Sequence, residues 1–176
     1  YSIYTHNLLL IYNLNMSSYK VLILDVDGVM TDGKFYYSDK GKVMKVFGAD
    51  DNDALSLLRE YIEIIFVTGD KRGYQISKKR IMDDMGFQIN LVSTIKRIDW
   101  IKDKYKLNEV IYMGDGIFDH YVMQKVGYSI ATANSDTNAK KFSDYTTKRN
   151  GSERAVAEAC LHIMKKFFKP YNPNKL

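Results

Sequence analysis

The chain has 176 residues, 45% hydrophobic and 27% charged, which is typical of one globular domain with a buried core. Its one cysteine, Cys160, excludes an internal disulfide framework and indicates a reducing compartment, so we expect the cytoplasm. The net charge of +5 comes from basic residues scattered among acids. That distribution predicts a small anionic ligand, with no nucleic acid and no membrane as partner.

The first 15 residues contain no Asp, Glu, Lys or Arg, and Met16 comes just before the first apolar run. We therefore expect residues 1–15 to be an upstream extension or an added segment. Residues 16–169 are predicted to form a single domain. Residues 170–176, which contain both prolines, are predicted to be a flexible tail.

In chain order, the pattern predicts a strand at 21–24, a β-hairpin at 35–47, a helix at 53–60, a strand at 62–67 and a helix at 73–85. It continues with a strand at 88–92, a helix at 98–106, a strand at 110–113 and a helix at 118–126. Two short strands follow at 128–130 and 144–146, and a last helix at 152–168 has Ser152 as its N-cap. This alternation predicts an α/β fold, a three-layer doubly wound parallel sheet.

The hairpin interrupts the alternation, and its aromatic and β-branched content is high for a projection from the body of the domain. A plain surface hairpin and an oligomerisation element are equally consistent with it. The segments between the strands leave no room for a large cap domain.

The three most apolar strands end in polar residues, Asp25, Thr68 and Asp115. Because ligands of such sheets bind at the carboxyl ends of the strands, we expect these side chains to share one site. Asp25 and Asp27 are suited to nucleophilic attack on phosphorus and to proton transfer. Crowded carboxylates require a cation, and an oxygen-rich pocket that also holds phosphate suits Mg²⁺. A calcium loop is the alternative, but Tyr36 occupies the position where such a loop has its closing Glu.

Other polar groups complete the predicted pocket. Thr68 and Gly69 offer a hydroxyl and backbone N–H groups to a phosphoryl oxygen, and Lys96 offers a positive charge. Asp119, one helical turn beyond Asp115, faces the same pocket.

Residues 25–33 resemble the first motif of the haloacid dehalogenase superfamily of phosphatases. Thr68 resembles the second motif, Lys96 the third, and Gly114-Asp115 with Asp119 the fourth. The resemblance covers about residues 19–168 and extends to the capless branch that acts on 3-deoxy-2-keto sugar acid phosphates of the octulosonate 8-phosphate type. The phosphatases of nonulosonate 9-phosphates are neighbours of that branch.

The resemblance implies that Asp25 is the nucleophile and that Asp27 protonates the leaving oxygen and then activates water. It implies Mg²⁺ held by Asp25, the backbone carbonyl of Asp27 and Asp115, and phosphoryl oxygens held by Thr68 and Lys96, with Asp119 in support. It also implies a homotetramer in which hairpins pack together and a neighbour partly covers each site.

Several positions depart from the octulosonate enzymes. Gly116 replaces a second Asp, Asp50 and Asp70 stand where those enzymes usually have Arg, and their Gly-Gly-Arg-Gly reads Gly-Ser-Glu-Arg at 151–154. Lys71, Arg72 and Arg154 are therefore the candidates to bind a substrate carboxylate. Three alternatives stay open: a nonulosonate 9-phosphate phosphatase, a non-catalytic oligomerisation module beside an acylneuraminate cytidylyltransferase, and a receiver-type regulator.

Overall fold

The computed structural model describes residues 17–174. The predicted extension at 1–15 lies outside these residues, and the domain boundaries stay predictions. Within the described residues, no helix has the length and apolar character needed to cross a bilayer. The elements in chain order are β1 (Val21–Asp25), β2 (Tyr36–Ser38), β3 (Gly41–Met44), α1 (Asp51–Leu58), β4 (Glu63–Thr68), α2 (Tyr74–Lys78), β5 (Gln88–Leu91), α3 (Arg97–Lys102), β6 (Val110–Gly114), α4 (His120–Met123), β7 (Tyr128–Ala131), α5 (Thr137–Phe142), β8 (Tyr145–Thr146) and α6 (Ala155–Phe167).

Six strands form one parallel sheet in the order β5-β4-β1-β6-β7-β8. The first strand, β1, lies in the middle of the sheet. Strands β4 and β5 follow outward on one side of it, and β6, β7 and β8 follow outward on the other side. This topology confirms the predicted doubly wound α/β fold. The change of winding direction lies between β1 and β6, which is where such sheets bind ligands.

Helices cover both faces of the sheet and give it three layers. Successive residues of β1 point to opposite faces, so Leu22 and Leu24 join the core beneath α1 and α6, while Val21 and Ile23 join the core beneath α3, α4 and α5. All five residues of β1 are buried, which explains why its sequence is an apolar run rather than an alternating pattern.

The predicted hairpin is present as β2 and β3, which pair antiparallel and form a separate two-stranded sheet. A single bridge between Thr31 and Phe47 joins the end of the hairpin to the loop after β1. Several large apolar side chains of the hairpin are exposed, Tyr37 to 58% and Met44 to 56%.

Two local predictions were wrong. The last helix begins at Ala155, and Ser152 is not its N-cap, because the backbone of Ser152 has a φ of 63° and that of Arg154, at the cap position, a φ of 72°. Helix α5 was not predicted at all. Its boundary signal is Asp136, whose side chain accepts a hydrogen bond from the Asn138 N–H as an N-cap.

Candidate active site

One edge of the sheet collects the polar strand ends. Asp25 is the last residue of β1, Thr68 is the last of β4, and Asp115 directly follows β6. A pocket of about 310 Å³ opens there. Its lining residues are Asp25, Asp27, Gly69, Asp70, Ser93, Thr94, Ile95 and Phe118.

The loop after β1 is a tight turn that requires a glycine. The Val26 carbonyl accepts hydrogen bonds from the N–H groups of Met30 and Thr31, and Gly28 has a φ of 90°. A Cβ at Gly28 would lie 1.9 Å from Asp115 Oδ2. Any side chain at position 28 would therefore occupy the space between the acids.

Two side chains hold the Asp27 carboxylate. Thr68 Oγ1 donates to Asp27 Oδ2 at 3.1 Å, and Lys45 Nζ lies 2.6 Å from Asp27 Oδ1. The contact with Lys45 is an ion pair without the alignment of a hydrogen bond. Lys45 follows β3, so the hairpin contributes a cation to the site, which the sequence did not predict.

Asp70 connects the hairpin to the pocket wall. Its Oδ2 atom lies 2.6 Å from Lys42 Nζ and 2.9 Å from Lys45 Nζ, and its Oδ1 accepts from the Gly73 N–H. Burial alone would raise the pKa of Asp70, but the hydrogen bonds from Lys42 and Lys45 lower it to about 2. The carboxylate is therefore ionised and paired at neutral pH.

The cation against the nucleophile candidate is Arg97, whereas Lys96 is exposed. Arg97 is fully buried, and its guanidinium lies within 3.3 Å of both Asp25 oxygens and 2.9 Å from Asp119 Oδ1. The difference of one residue arises because a 3₁₀ turn, Thr94–Lys96, precedes α3, and Arg97 is the first residue of α3. The phosphate-binding role of Lys96 stays a prediction.

Asp119 has both oxygens occupied. Oδ1 accepts from Tyr112 and Arg97, and Oδ2 accepts from the backbone N–H groups of Asp115 and Gly116. A carboxylate with four donors is suited to orienting its neighbours and has little capacity left for a further ligand. Asp119 thus holds the loop that contains Asp115, and its supporting role in the reaction stays a prediction.

A metal ion would fit between the acids. Ligand oxygens of Asp25, Asp115 and Asp119 lie within 4.8 Å of one another. Burial, then the charges of Asp25, Asp119 and Asp27, raise the pKa of Asp115 to about 8. Burial also raises the pKa of Asp25 to about 6, although Arg97 opposes that rise. This crowding of buried carboxyl groups is what a bound cation relieves.

The predicted specificity residues do not line the pocket. Lys71 and Arg72 are exposed, although they directly follow the pocket residue Asp70. Arg154 is also exposed and forms an ion pair with Asp50. Lys45 and Arg97, which the sequence did not predict, contact acids of the pocket wall: Lys45 contacts Asp27 and Asp70, and Arg97 contacts Asp25.

Comparisons with known proteins agree with this geometry. The family model for haloacid dehalogenase-like hydrolases matches residues 27–160. The 3-deoxy-D-manno-octulosonate 8-phosphate phosphatase of Salmonella typhi is 32% identical over 151 residues, covering 80% of this chain and 77% of that protein. The Escherichia coli K12 enzyme of the same name is 31% identical over the same shares.

Solved structures show the same likeness. The Moraxella catarrhalis 3-deoxy-D-manno-octulosonate 8-phosphate phosphatase, determined with magnesium, phosphate and KDO, has a TM-score of 0.71 and 25% identity over 85% of this chain and 88% of that one. The cobalt-bound Haemophilus influenzae enzyme has a TM-score of 0.73 and 26% identity over 84% and 88% of the two chains.

Proposed function

The chain belongs to the haloacid dehalogenase-like hydrolases, and from that premise we propose that it is a Mg²⁺-dependent phosphatase of a 3-deoxy-2-keto sugar acid phosphate. The first candidate substrate is 3-deoxy-D-manno-octulosonate 8-phosphate, which the similar enzymes are named for. The observation that carries the proposal is the placement of Asp25 and Asp27 on the wall of one pocket, with Asp115 behind them.

Asp25 is the proposed nucleophile. One of its oxygens forms a bond to phosphorus while the bond from phosphorus to the sugar oxygen breaks. Asp27 gives its proton to that leaving oxygen and then takes a proton from the water that hydrolyses the aspartyl phosphate. Thr68 and the backbone of Gly69 hold phosphoryl oxygens, and Arg97 balances the charge of Asp25 from the buried side.

The proposed cofactor is Mg²⁺, with Asp25, Asp115 and the backbone carbonyl of Asp27 as ligands. When bound, it would neutralise charge on the transferring phosphoryl group. Carboxylate and carbonyl oxygens are the donors that Mg²⁺ prefers. Burial and then the neighbouring carboxylates raise the pKa of Asp115, an effect that a bound cation would oppose.

We also propose the homotetramer and the cytoplasmic location. The hairpin segment exposes six large apolar side chains, those of Phe35, Tyr36, Tyr37, Val43, Met44 and Val46, which in one chain alone would be unfavourable in water. Packing of hairpins from four copies would cover them, and a neighbouring copy would then restrict water at the open pocket.

Nonulosonate 9-phosphate is the second candidate substrate. Asp70, which stands where octulosonate enzymes usually have Arg, is paired with Lys42 and Lys45, and Asp50 is paired with Arg154. Two positions that could bind a substrate carboxylate directly in the first group of enzymes therefore carry the opposite charge in this chain.

A panel of sugar phosphates assayed with Mg²⁺ and with EDTA tests the proposal. We expect Mg²⁺-dependent release of phosphate, fastest from one of the two sugar acid phosphates. Asp25→Asn should lower turnover by about 100-fold or more, since an amide cannot form the acyl phosphate. Asp32→Asn is the matched control, because Asp32 lies in the same loop and its side chain accepts from the Lys34 N–H and from no other group among residues 17–174. Equal activity of the Asp25 and Asp32 variants would refute covalent catalysis by Asp25.

A further inference from the structure

Lys45 is a buried cation at the base of the hairpin. Its side chain is fully inaccessible to solvent, and Nζ has three oxygens within 3 Å: Asp27 Oδ1 at 2.6 Å, Ser77 Oγ at 2.8 Å and Asp70 Oδ2 at 2.9 Å. The ammonium donates a hydrogen bond to Ser77, and the carboxylates of Asp27 and Asp70 pair with its charge. Lys45 is thus held in place and is not available to bind a substrate phosphate.

The surrounding packing fixes this cation further. A Cβ at Gly73 would lie 2.7 Å from Lys45 Cε and 2.8 Å from Lys42 Cδ, so the two lysine stems occupy the space that a side chain at position 73 would need. Lys42 and Lys45 share Asp70 and Gly73 as neighbours. They differ in that the ion pair with Asp27 belongs to Lys45.

We propose that Lys45 is a positioning residue for the first half of the reaction. In this structure Thr68 Oγ1 donates to Asp27 Oδ2, and the Lys45 ammonium lies 2.6 Å from Asp27 Oδ1. Since Thr68 has one O–H, which turns to a phosphoryl oxygen when substrate binds, Lys45 is the contact that keeps the Asp27 carboxyl group in place. Because the ammonium can only donate, the proton that Asp27 takes from solvent before this step lies on Oδ2. That proton passes to the leaving oxygen as the bond from phosphorus to this oxygen breaks, while Asp25 forms the new bond to phosphorus. Loss of such alignment lowers the rate without any loss of binding.

The inference rests on the proposed role of Asp27 as the acid. Two esters with different leaving groups test the acid role of Asp27 and the positioning role of Lys45 separately. The alkoxide of β-glycerophosphate requires a proton to leave, whereas the nitrophenolate of 4-nitrophenyl phosphate leaves without one. Neither ester depends on the identity of the sugar acid substrate. Single-turnover release of the alcohol or phenol reports the first step alone, free of the later attack by water.

We expect Lys45→Met, which keeps the length of the side chain, to slow release from β-glycerophosphate by about 30- to 100-fold and from 4-nitrophenyl phosphate by less than about fivefold. Asp27→Asn, measured in parallel, should show the same selectivity. Lys42→Met is the matched control, since it removes a hairpin cation from Asp70 and leaves the Asp27 pair in place. It should affect both esters to the same small extent.

Two results would overturn the inference. If Lys45→Met slowed both esters equally while Asp27→Asn remained selective, Lys45 would serve only the fold. If Asp27→Asn were not selective, the acid role itself would fail, and the inference with it. If Lys45→Met does not fold, Ser77→Ala replaces it, because this substitution removes one partner of the Lys45 ammonium. Ser77→Ala should slow release from β-glycerophosphate by about three- to tenfold more than release from 4-nitrophenyl phosphate. Equal slowing of the two esters by Ser77→Ala would count against the proposal.

Discussion

Asp115 should make the metal-free protein less stable as the pH rises. Its pKa of about 8 in the folded chain lies far above the ordinary carboxyl value of 3.8. A group whose pKa is raised by folding contributes stability that is present below its unfolded pKa and is lost as the pH rises through the folded one. The free energy of unfolding in EDTA should therefore fall between about pH 4 and pH 8, with Asp25 and Asp51, both at about 6, acting in the same direction.

The substitution Asp115→Asn isolates the largest of these contributions. At pH 7 the folded protein must keep Asp115 protonated, which against a pKa of 3.8 costs roughly 4 kcal/mol, because each tenfold change in proton affinity is worth about 1.4 kcal/mol. We expect the variant to be more stable than the wild type in EDTA by roughly 2–4 kcal/mol at pH 7. Its stability should also depend less on pH.

Magnesium should offset most of that difference. The wild type should gain about 2.7 kcal/mol when Mg²⁺ is present at 100 times its dissociation constant, and Asp115→Asn should gain little. Urea denaturation from pH 5 to pH 8, in EDTA and in MgCl₂, measures all four curves. Asp103→Asn is the control, because Asp103 is exposed at the end of α3.

The reasoning is refuted by either of two results. One is a metal-free wild type whose stability rises from pH 5 to pH 8. The other is an Asp115→Asn variant that is less stable than the wild type in EDTA at pH 7, since the crowding of carboxyl groups would then not be the dominant effect.

Gly28→Ala should abolish both turnover of 4-nitrophenyl phosphate and calorimetric Mg²⁺ binding, because the new Cβ would meet Asp115 Oδ2; a variant that still binds Mg²⁺ would contradict the packing of this turn. Arg97→Met should cost about 3–5 kcal/mol of stability in urea denaturation, since it leaves buried carboxylates unpaired, whereas Lys96→Ala should cost less than about 0.5 kcal/mol. Replacement of residues 35–46 by a short Gly-Ser turn should give a monomer or dimer by light scattering, and an unchanged mass would exclude the hairpin from assembly.

The sequence was sufficient to predict the parallel sheet and the acidic residues at its edge. Apolar runs that end in Asp25, Thr68 and Asp115 are a local signal, and parallel winding brings such strand ends to one edge without any further information. Gly28 belongs to the same local signal, because a tight turn directly after a buried strand favours a glycine.

The cations could not be placed in the same way. Lys45 follows β3, and the hairpin strands β2 and β3 pair with each other rather than with the main sheet. The contact of Lys45 with Asp27 therefore depends on how the hairpin packs against α2. Its one local signal is a charged residue inside the apolar run at 43–47, which indicates a buried partner. Arg97 was missed because the turn before α3 decides which of two adjacent cations faces the sheet, and a boundary shift of one residue exchanges them.

The ion pairs also indicate which cations could leave their present partner to bind a substrate carboxylate. Lys42 and Lys45 are held by Asp70 with their side chains nearly inaccessible, so neither can exchange its partner without leaving a buried charge unpaired. The Asp50–Arg154 pair is half exposed on both sides, and such pairs contribute only about 0–1 kcal/mol. Arg154 can therefore exchange Asp50 for a substrate carboxylate at little cost, and its loop packs on Gly28 through Gly151. Arg154 therefore stays a candidate beside Lys71 and Arg72, which are exposed next to the pocket residue Asp70.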